Sequence, residues 1–232
     1  MIGLLASAAA LVAAGWHSMA PRSQLYGRTF IGVNHASRLL ALTYDDGPSD
    51  AWTPRLLDVL AKHDVRATFF MIGRYVLQQS DTARAVATAG HVIGNHTHMH
   101  PNLIFCSPGQ IVAQLRECDR VLTETVGEHS KLFRPPFGGR RPDVLTSIRS
   151  QGFIPVMWSV ASNDWNTLSP DEIEDKIVRQ VRGGDVILMH DGGHLSAADR
   201  SATITATNSI IPRYKDQGYR FVTIPEMMAT QT

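Results

Sequence analysis

The sequence predicts an α/β fold, a closed or nearly closed barrel of about seven mostly parallel strands. Two observations lead there. From Leu39 onward, short apolar runs alternate with stretches of helical period, and a crossover helix between strands returns the chain to the same edge of the sheet. In addition, a polar cluster follows each of five expected strands: Asp45 and Asp46, His96 to His100, Arg134, Asp164 with Trp165, and His190. In an α/β barrel those strand ends open onto one face, where side chains distant in sequence converge.

The first expected strand, Leu39 to Thr43, runs into "DDGP", where Gly47 and Pro48 turn the chain. A helix is expected over Thr53 to His63, with Pro54 in its first turn. Strands are expected at Ala67 to Ile72 and His91 to Gly94. "SPGQIVAQLRECDRVLTETVG" opens on a Ser-Pro start signal and sets Ile111, Leu115, Cys118 and Leu122 on one helical face. Lys131 to Phe133 and Phe153 to Val160 are the next expected strands. A further helix starts at Ser169 and Pro170 and stops at Gly183 and Gly184. The sixth and seventh strands are expected at Asp185 to Met189 and Arg220 to Ile224.

At 232 residues, 44% hydrophobic and 19% charged, the chain suits one full-sized domain with a buried core. The formal net charge is +1 with no basic block, so nothing electrostatic points to nucleic acid as a partner. Residues 2 to 16, "IGLLASAAALVAAGW", carry no charge, and the first Arg or Lys is Arg22. The expected organisation is an exported signal or membrane-anchor segment over 1–21, with possible membrane association, followed by one catalytic domain over 22–232. The run lacks a basic start and is short against the roughly 20 apolar residues of a spanning helix, so cleaved signal, uncleaved anchor and buried N-terminal helix all stay open. Cys106 and Cys118 fit either a single bridge or two packed thiols.

The acidic pair is open to two readings. Asp residues before a Gly-Pro turn are ordinary turn chemistry. "NHTHMH" changes the balance, because His96 and His100, four apart, share a face on a helical turn and can grip one ion with Asp46 as a carboxylate ligand. His96 with His98 is the alternative pair if the stretch is extended. With Asp46 on a metal, Asp45 is left as a general base for a water whose pKa the metal lowers to about 7. Arg134 in "FRPPFGGR", stiffened by Pro135 and Pro136, suits a guanidinium that orients Asp45, or an ordinary strand-end arginine. Asp164 beside Trp165 fits a turn residue next to a core aromatic. His190 in "VILMHDG" fits a core histidine or, in this company, a general acid for a leaving amine.

Together these stretches resemble the polysaccharide deacetylase family, the carbohydrate esterases built on the NodB-homology domain. "TYDDGP", "HTHMH", "RPPFG", "NDW" and "LMH" match its motifs in order, between about Leu39 and Ile224. The resemblance implies a distorted (β/α) barrel, a divalent metal that is usually zinc (Zn2+), and hydrolysis of an acetyl group on a sugar polymer. Carried over by position, Asp45 is the base, Asp46, His96 and His100 hold the metal, Arg134 orients the base, and His190 is the acid tuned by Asp164. Trp165 and Leu188 line the acetyl pocket, and the Phe137 N–H supports the oxyanion. Tyr44, Phe137 and Ala161 depart from the usual residues, and Ala161 bears on a substrate contact. The implied substrate is an N-acetylglucosamine glycan. Xylan O-deacetylation, hydrolysis of a small amide, deformylation or deacetylation of a lipid-linked sugar, and a non-catalytic metal-holding glycan-binding module are the alternatives.

Overall fold

In the computed structural model of the chain, residues 12–166, 168–194 and 198–231 are described. Eight strands form one sheet: β1 Leu39–Asp45, β2 Thr68–Met71, β3 Val92–Asn95, β4 Leu132–Phe133, β5 Ile154–Pro155, β6 Val160–Ala161, β7 Asp185–His190 and β8 Arg220–Phe221. Their order is β5-β4-β3-β2-β1-β7-β6, with β8 beside the start of β1, and every pairing is parallel. The expected distorted barrel is present.

Alternation along the strands separates two apolar layers. Leu40, Leu42 and Tyr44 of β1 and Ile187 and Met189 of β7 pack outward with the helices. Leu39, Ala41, Phe70, Leu132, Val156 and Val186 form the barrel interior. The same parity sends Thr43, Asp45, Arg134 and His190 inward at the strand ends. β1 is buried along its whole length, which is why it reads as a continuous apolar run.

The barrel is distorted at one seam. The single strand expected over Phe153 to Val160 is two short ones, β5 paired with β4 and β6 paired with β7. Between them the chain turns to bond the upstream segment: Met157 N donates to Phe30 O at 2.7 Å, and Phe30 N to Pro155 O at 2.9 Å. Residues 30–32 thus occupy the gap, with bridges from Phe30 to Val156 and from Gly32 to Asp185.

Around the sheet lie α1 Thr53–Lys62, α2 Gly73–Gln78, α3 Ser80–Thr88, α4 Pro108–Val126, α5 Pro142–Ser150, α6 Pro170–Val178, α7 Ser201–Lys215 and α8 Ile224–Ala229. Capping boxes start α4 at Ser107 and Gln110, and α6 at Ser169 and Glu172, where the Ser-Pro signals place them. α6 ends before the expected Gly183. The Gln180 side chain instead grips the Ala161 backbone, donating to its carbonyl at 2.9 Å and accepting from its N–H at 3.3 Å. The last strand is also shorter than expected, because Thr223 and Glu226 form a capping box that starts α8 at Ile224.

Cys106 and Cys118 are both free, the latter within the core. Residues 12–19 are helical, and the segment after this helix is tied to the α/β body, with Arg22 Nη2 donating to Ser159 O at 2.8 Å. The rest of the apolar N-terminal run, residues 1–11, lies outside the described residues. Among the described residues, no helix is long and apolar enough to cross a membrane.

Candidate active site

Asp45 closes β1 and points inward by strand parity. Its Oδ1 accepts from Arg134 Nη1 at 2.7 Å, and the same nitrogen donates to Thr43 Oγ1 at 2.8 Å. Arg134 Nη2 reaches the Met157 carbonyl at 3.1 Å, and its guanidinium carbon stands 4.2 Å from the Phe70 ring centroid. Burial lowers the pKa of this arginine while Asp45 raises it, and an arginine starts high enough to stay charged. A fixed cation therefore holds one oxygen of Asp45.

Asp46 takes a left-handed backbone angle, φ 70°, which turns its carboxylate away from the strand. Gly47 follows because a Cβ there would run into the Asp191 carboxylate. Asp46, His96 and His100 offer ligand atoms that all lie within 4.8 Å of one another, and all three are buried. His100 Nε2 stands 3.1 Å and His96 Nε2 3.5 Å from Asp46 Oδ1. His96 Nδ1 donates to the Arg134 carbonyl at 2.7 Å, which fixes the proton there and leaves Nε2 with its lone pair toward Asp46. Burial holds His100 below the usual histidine range, so it favours the neutral, ligating form. Although burial works against the charged carboxylate of Asp46, His100, His194 and His96 keep its pKa well below the usual range.

His96 and His100 do not meet on a helical turn. The 96–100 stretch is irregular, with Thr97 at φ 66° and His100 at φ 58°, and Thr97 Oγ1 accepts from His100 N at 3.0 Å. Two left-handed residues within four positions fold the loop so that the rings come within 4.9 Å. His98, the alternative partner, faces Gly73 instead. Positive φ at Asp46, Thr97, His100, Phe137 and Asn163 clusters around the site, as strain at functional loops does.

A divalent cation fits this trio by a test internal to the structure. Asp46 Oδ1 is buried without a hydrogen-bond partner, His100 lying off hydrogen-bond geometry despite its 3.1 Å approach. One carboxylate and two imidazoles are a donor set that catalytic metal sites use, leaving a position open. When bound, such a cation supplies Lewis-acid polarisation of an acyl oxygen and a lowered pKa for an attacking water.

At the end of the neighbouring strand β7, His190 Nδ1 bonds Asp164 Oδ1 at 2.8 Å, while Asp164 Oδ2 accepts from the His190 backbone N–H at 2.8 Å. Ser162 Oγ and Thr203 Oγ1 also donate to that carboxylate, and Arg200 Nη1 donates to the Asp164 carbonyl. Burial opposes a charged imidazole, but Asp164, Asp46 and Asp45 hold the His190 pKa up at about 9. A cation on Asp46 would offset that residue's share and leave Asp164 as the main partner. For Asp164, burial raises the pKa, and His190, Arg200 and Ser162 more than reverse it.

Asp45, Asp46, His96, His100, Phe137, Trp165, Leu188 and His190 all line one cavity of about 530 Å³. Arg134 and Asp164 stand behind it. Trp165 meets the His190 ring edge-on at 5.5 Å. Phe137 sits at φ 57° in the short helix Pro136–Gly138, at its second position, where a helix leaves the amide without an intrahelical partner. Sequence motifs alone miss Met19, Trp158, His194 and Arg200, which line the same cavity. His194, stacked on His100 at 4.7 Å, has a signal in "HDGGH", four residues after His190. Met19 has none.

A barrel mouth with an Asp-His-His trio, an arginine-held carboxylate and a carboxylate-held imidazole defines a metal-dependent hydrolase. Residues 32–156 match the family model described as polysaccharide deacetylase. The chain belongs to that family, and the relatives it matches include peptidoglycan-N-acetylglucosamine and chitooligosaccharide deacetylases. It is 37% identical over 207 residues to a peptidoglycan-N-acetylglucosamine deacetylase of Bacillus cereus, covering 88% of this chain and 73% of the relative. It is 37% identical over 192 residues to a chitooligosaccharide deacetylase of Sinorhizobium fredii, covering 80% and 89%. Among solved structures, the Bc1960 peptidoglycan N-acetylglucosamine deacetylase superposes with a TM-score of 0.81 at 36% identity, over 86% of this chain and 91% of that one. BA3943 of Bacillus anthracis, a CE4 family pseudoenzyme, reaches 0.80 at 29% identity, over 86% and 68%. Fold likeness therefore does not separate active from inactive members, and the side chains must.

Proposed function

We propose that this protein removes acetyl groups from N-acetylglucosamine units of a cell-wall or chitin-like glycan, using one zinc ion held by Asp46, His96 and His100. The observation that carries the reading is the convergence, on one cavity, of that trio with Asp45 and His190, each backed by its own buried partner. A glycan-binding module would need none of Asp45, Arg134, His190 and Asp164. Zinc is favoured because two imidazoles and a carboxylate suit its borderline-soft character.

Asp45, with one oxygen tied to Arg134, takes the proton of the attacking water through the other. The water oxygen bonds to the acetyl carbonyl carbon, and the Phe137 N–H stabilises the oxyanion that develops. His190 gives its proton to the nitrogen as the carbon–nitrogen bond breaks, yielding acetate and the free amine. Trp165 and Leu188 enclose the acetyl methyl. The names of the relatives and the apolar run over residues 2–16 also support work outside the cytosol, with that run, ahead of residues 17–21, as signal or anchor.

Acetate release should be measured on N-acetylglucosamine oligomers, peptidoglycan and acetylated xylan, with the protein zinc-loaded and after chelation. Zinc-dependent release from the first two is expected. Release from xylan alone would replace the N-acetyl reading with an O-acetyl one, and release from none would remove the catalytic reading.

A further inference from the structure

Arg140 is 1% exposed and makes no ion pair among the described residues. Its hydrogen bonds go instead to one short upstream stretch. Nη1 donates to Pro21 O at 3.2 Å, Nη2 to His17 O at 3.5 Å and to Ala20 O, and the Arg140 N–H donates to Ser18 O at 2.9 Å. These are the carbonyls at the end of the 12–19 helix and just beyond it, the groups a helix leaves without partners and where a positive charge is favourable. Removing them would leave a buried guanidinium unsatisfied, so the stretch belongs to the body on which it lies. Further ties are Tyr26 Oη to Ala14 O at 2.9 Å, His17 Nδ1 to Ser23 Oγ at 2.7 Å, and Arg22 to Ser159 O.

This stretch carries Met19 to the catalytic mouth. Met19 lines the same cavity as Phe137, Gly138 and Trp158 and as the acetyl pocket residues Trp165 and Leu188. It is 40% exposed, so part of its thioether is free to meet a ligand. A flexible, polarisable side chain on an aromatic-lined wall packs adaptably against the apolar face of a sugar ring.

We infer that Met19 is a specificity-determining residue of the cavity, contacting the part of the substrate that extends beyond the acetyl group, and that Arg140 is the positioning residue that holds it there. The inference rests on the acetyl-hydrolase reading of the site and adds that residues 17–21 belong to the substrate wall. A chain lacking them would present a wider mouth.

The full chain, zinc-loaded, should be compared with M19A, M19W and R140Q on phenyl acetate and 1-naphthyl acetate, and on an N-acetylglucosamine tetramer. M19W should lower the naphthyl-to-phenyl ratio of kcat/KM about tenfold, the scale of a changed pocket wall. M19A should raise the KM for the tetramer by about the same factor with little change in kcat. R140Q should reproduce the M19A pattern with its zinc content intact, and should speed proteolytic cleavage within residues 12–22 before the body melts. An unchanged ester ratio in M19W and M19A overturns the Met19 assignment even if the tetramer is deacetylated. A changed ratio with no action on the tetramer sustains it and removes the glycan reading instead. R140Q behaving like the parent in both KM and proteolysis overturns the role given to Arg140.

Discussion

Asp45 and His190 are paired in register across the parallel strands β1 and β7, the last residue of one beside the last residue of the other. Parallel pairing makes both strands end on the same rim, and strand parity turns both side chains inward. A carboxylate and an imidazole from distant parts of the chain thereby face one cavity, each held from behind by an ionic partner.

The two adjacent aspartates should separate by function. Asp45→Asn should keep the metal and lose at least ~100-fold in kcat, the scale of a general base. Asp46→Asn should lose the metal itself. Metal analysis beside acetate-release kinetics checks both, and equal metal loss would show the division to be wrong.

Replacing His96 or His100 with Ala leaves only two of the three ligands proposed for the metal. Zinc affinity should fall by more than the roughly 10–100-fold typical of losing a supporting contact, as read by competition with a chromophoric chelator. Zinc retained at the parent's affinity by either variant would remove that residue from the metal site.

His190→Ala should slow amide hydrolysis far more than hydrolysis of an activated aryl acetate, whose phenolate leaves without a proton. The pH profile tests the same pair. Without a metal the His190 pKa stands at about 9, so the proton donor is present through neutral pH; with a cation on Asp46 offsetting part of that rise, activity should fall as pH passes a value somewhat below 9. Asp164→Asn removes the main opposing charge, so that alkaline limb should move to lower pH. In stability, a raised histidine pKa contributes fully below the ordinary value of about 6.5, and the contribution fades as pH climbs through the folded value. Thermal melts of the metal-free protein should show this decline, and D164N should flatten it.

Arg134→Met should destabilise the fold by about 3–5 kcal/mol, because it strands the buried Asp45 carboxylate without its cation. The double variant D45N/R134M should recover part of that loss. Denaturant unfolding measures both, and a single variant within about 0.5 kcal/mol of the parent would show the pair to be structurally idle.

Local signals in the chain carry the repeating grammar of the barrel and the residue types at its mouth. β1, β2, β3 and β7 are legible because burial on both faces makes short continuous apolar runs, and α4 and α6 because Ser-Pro capping signals act within one turn. The acidic pair, the histidines, Arg134, Asp164 and His190 are visible because each comes after such a run. Other features exist only once the chain is folded. The break between β5 and β6 depends on Phe30 filling the seam, and α8 begins at Ile224 because Thr223 and Glu226 close a box that strand-like composition conceals. His96 and His100 meet through left-handed turns rather than helical spacing, and Met19 joins the cavity through a buried arginine far along the chain. Periodicity and capping act over a few residues, whereas these contacts are fixed by register and loop geometry, which bring distant segments together without leaving a local pattern.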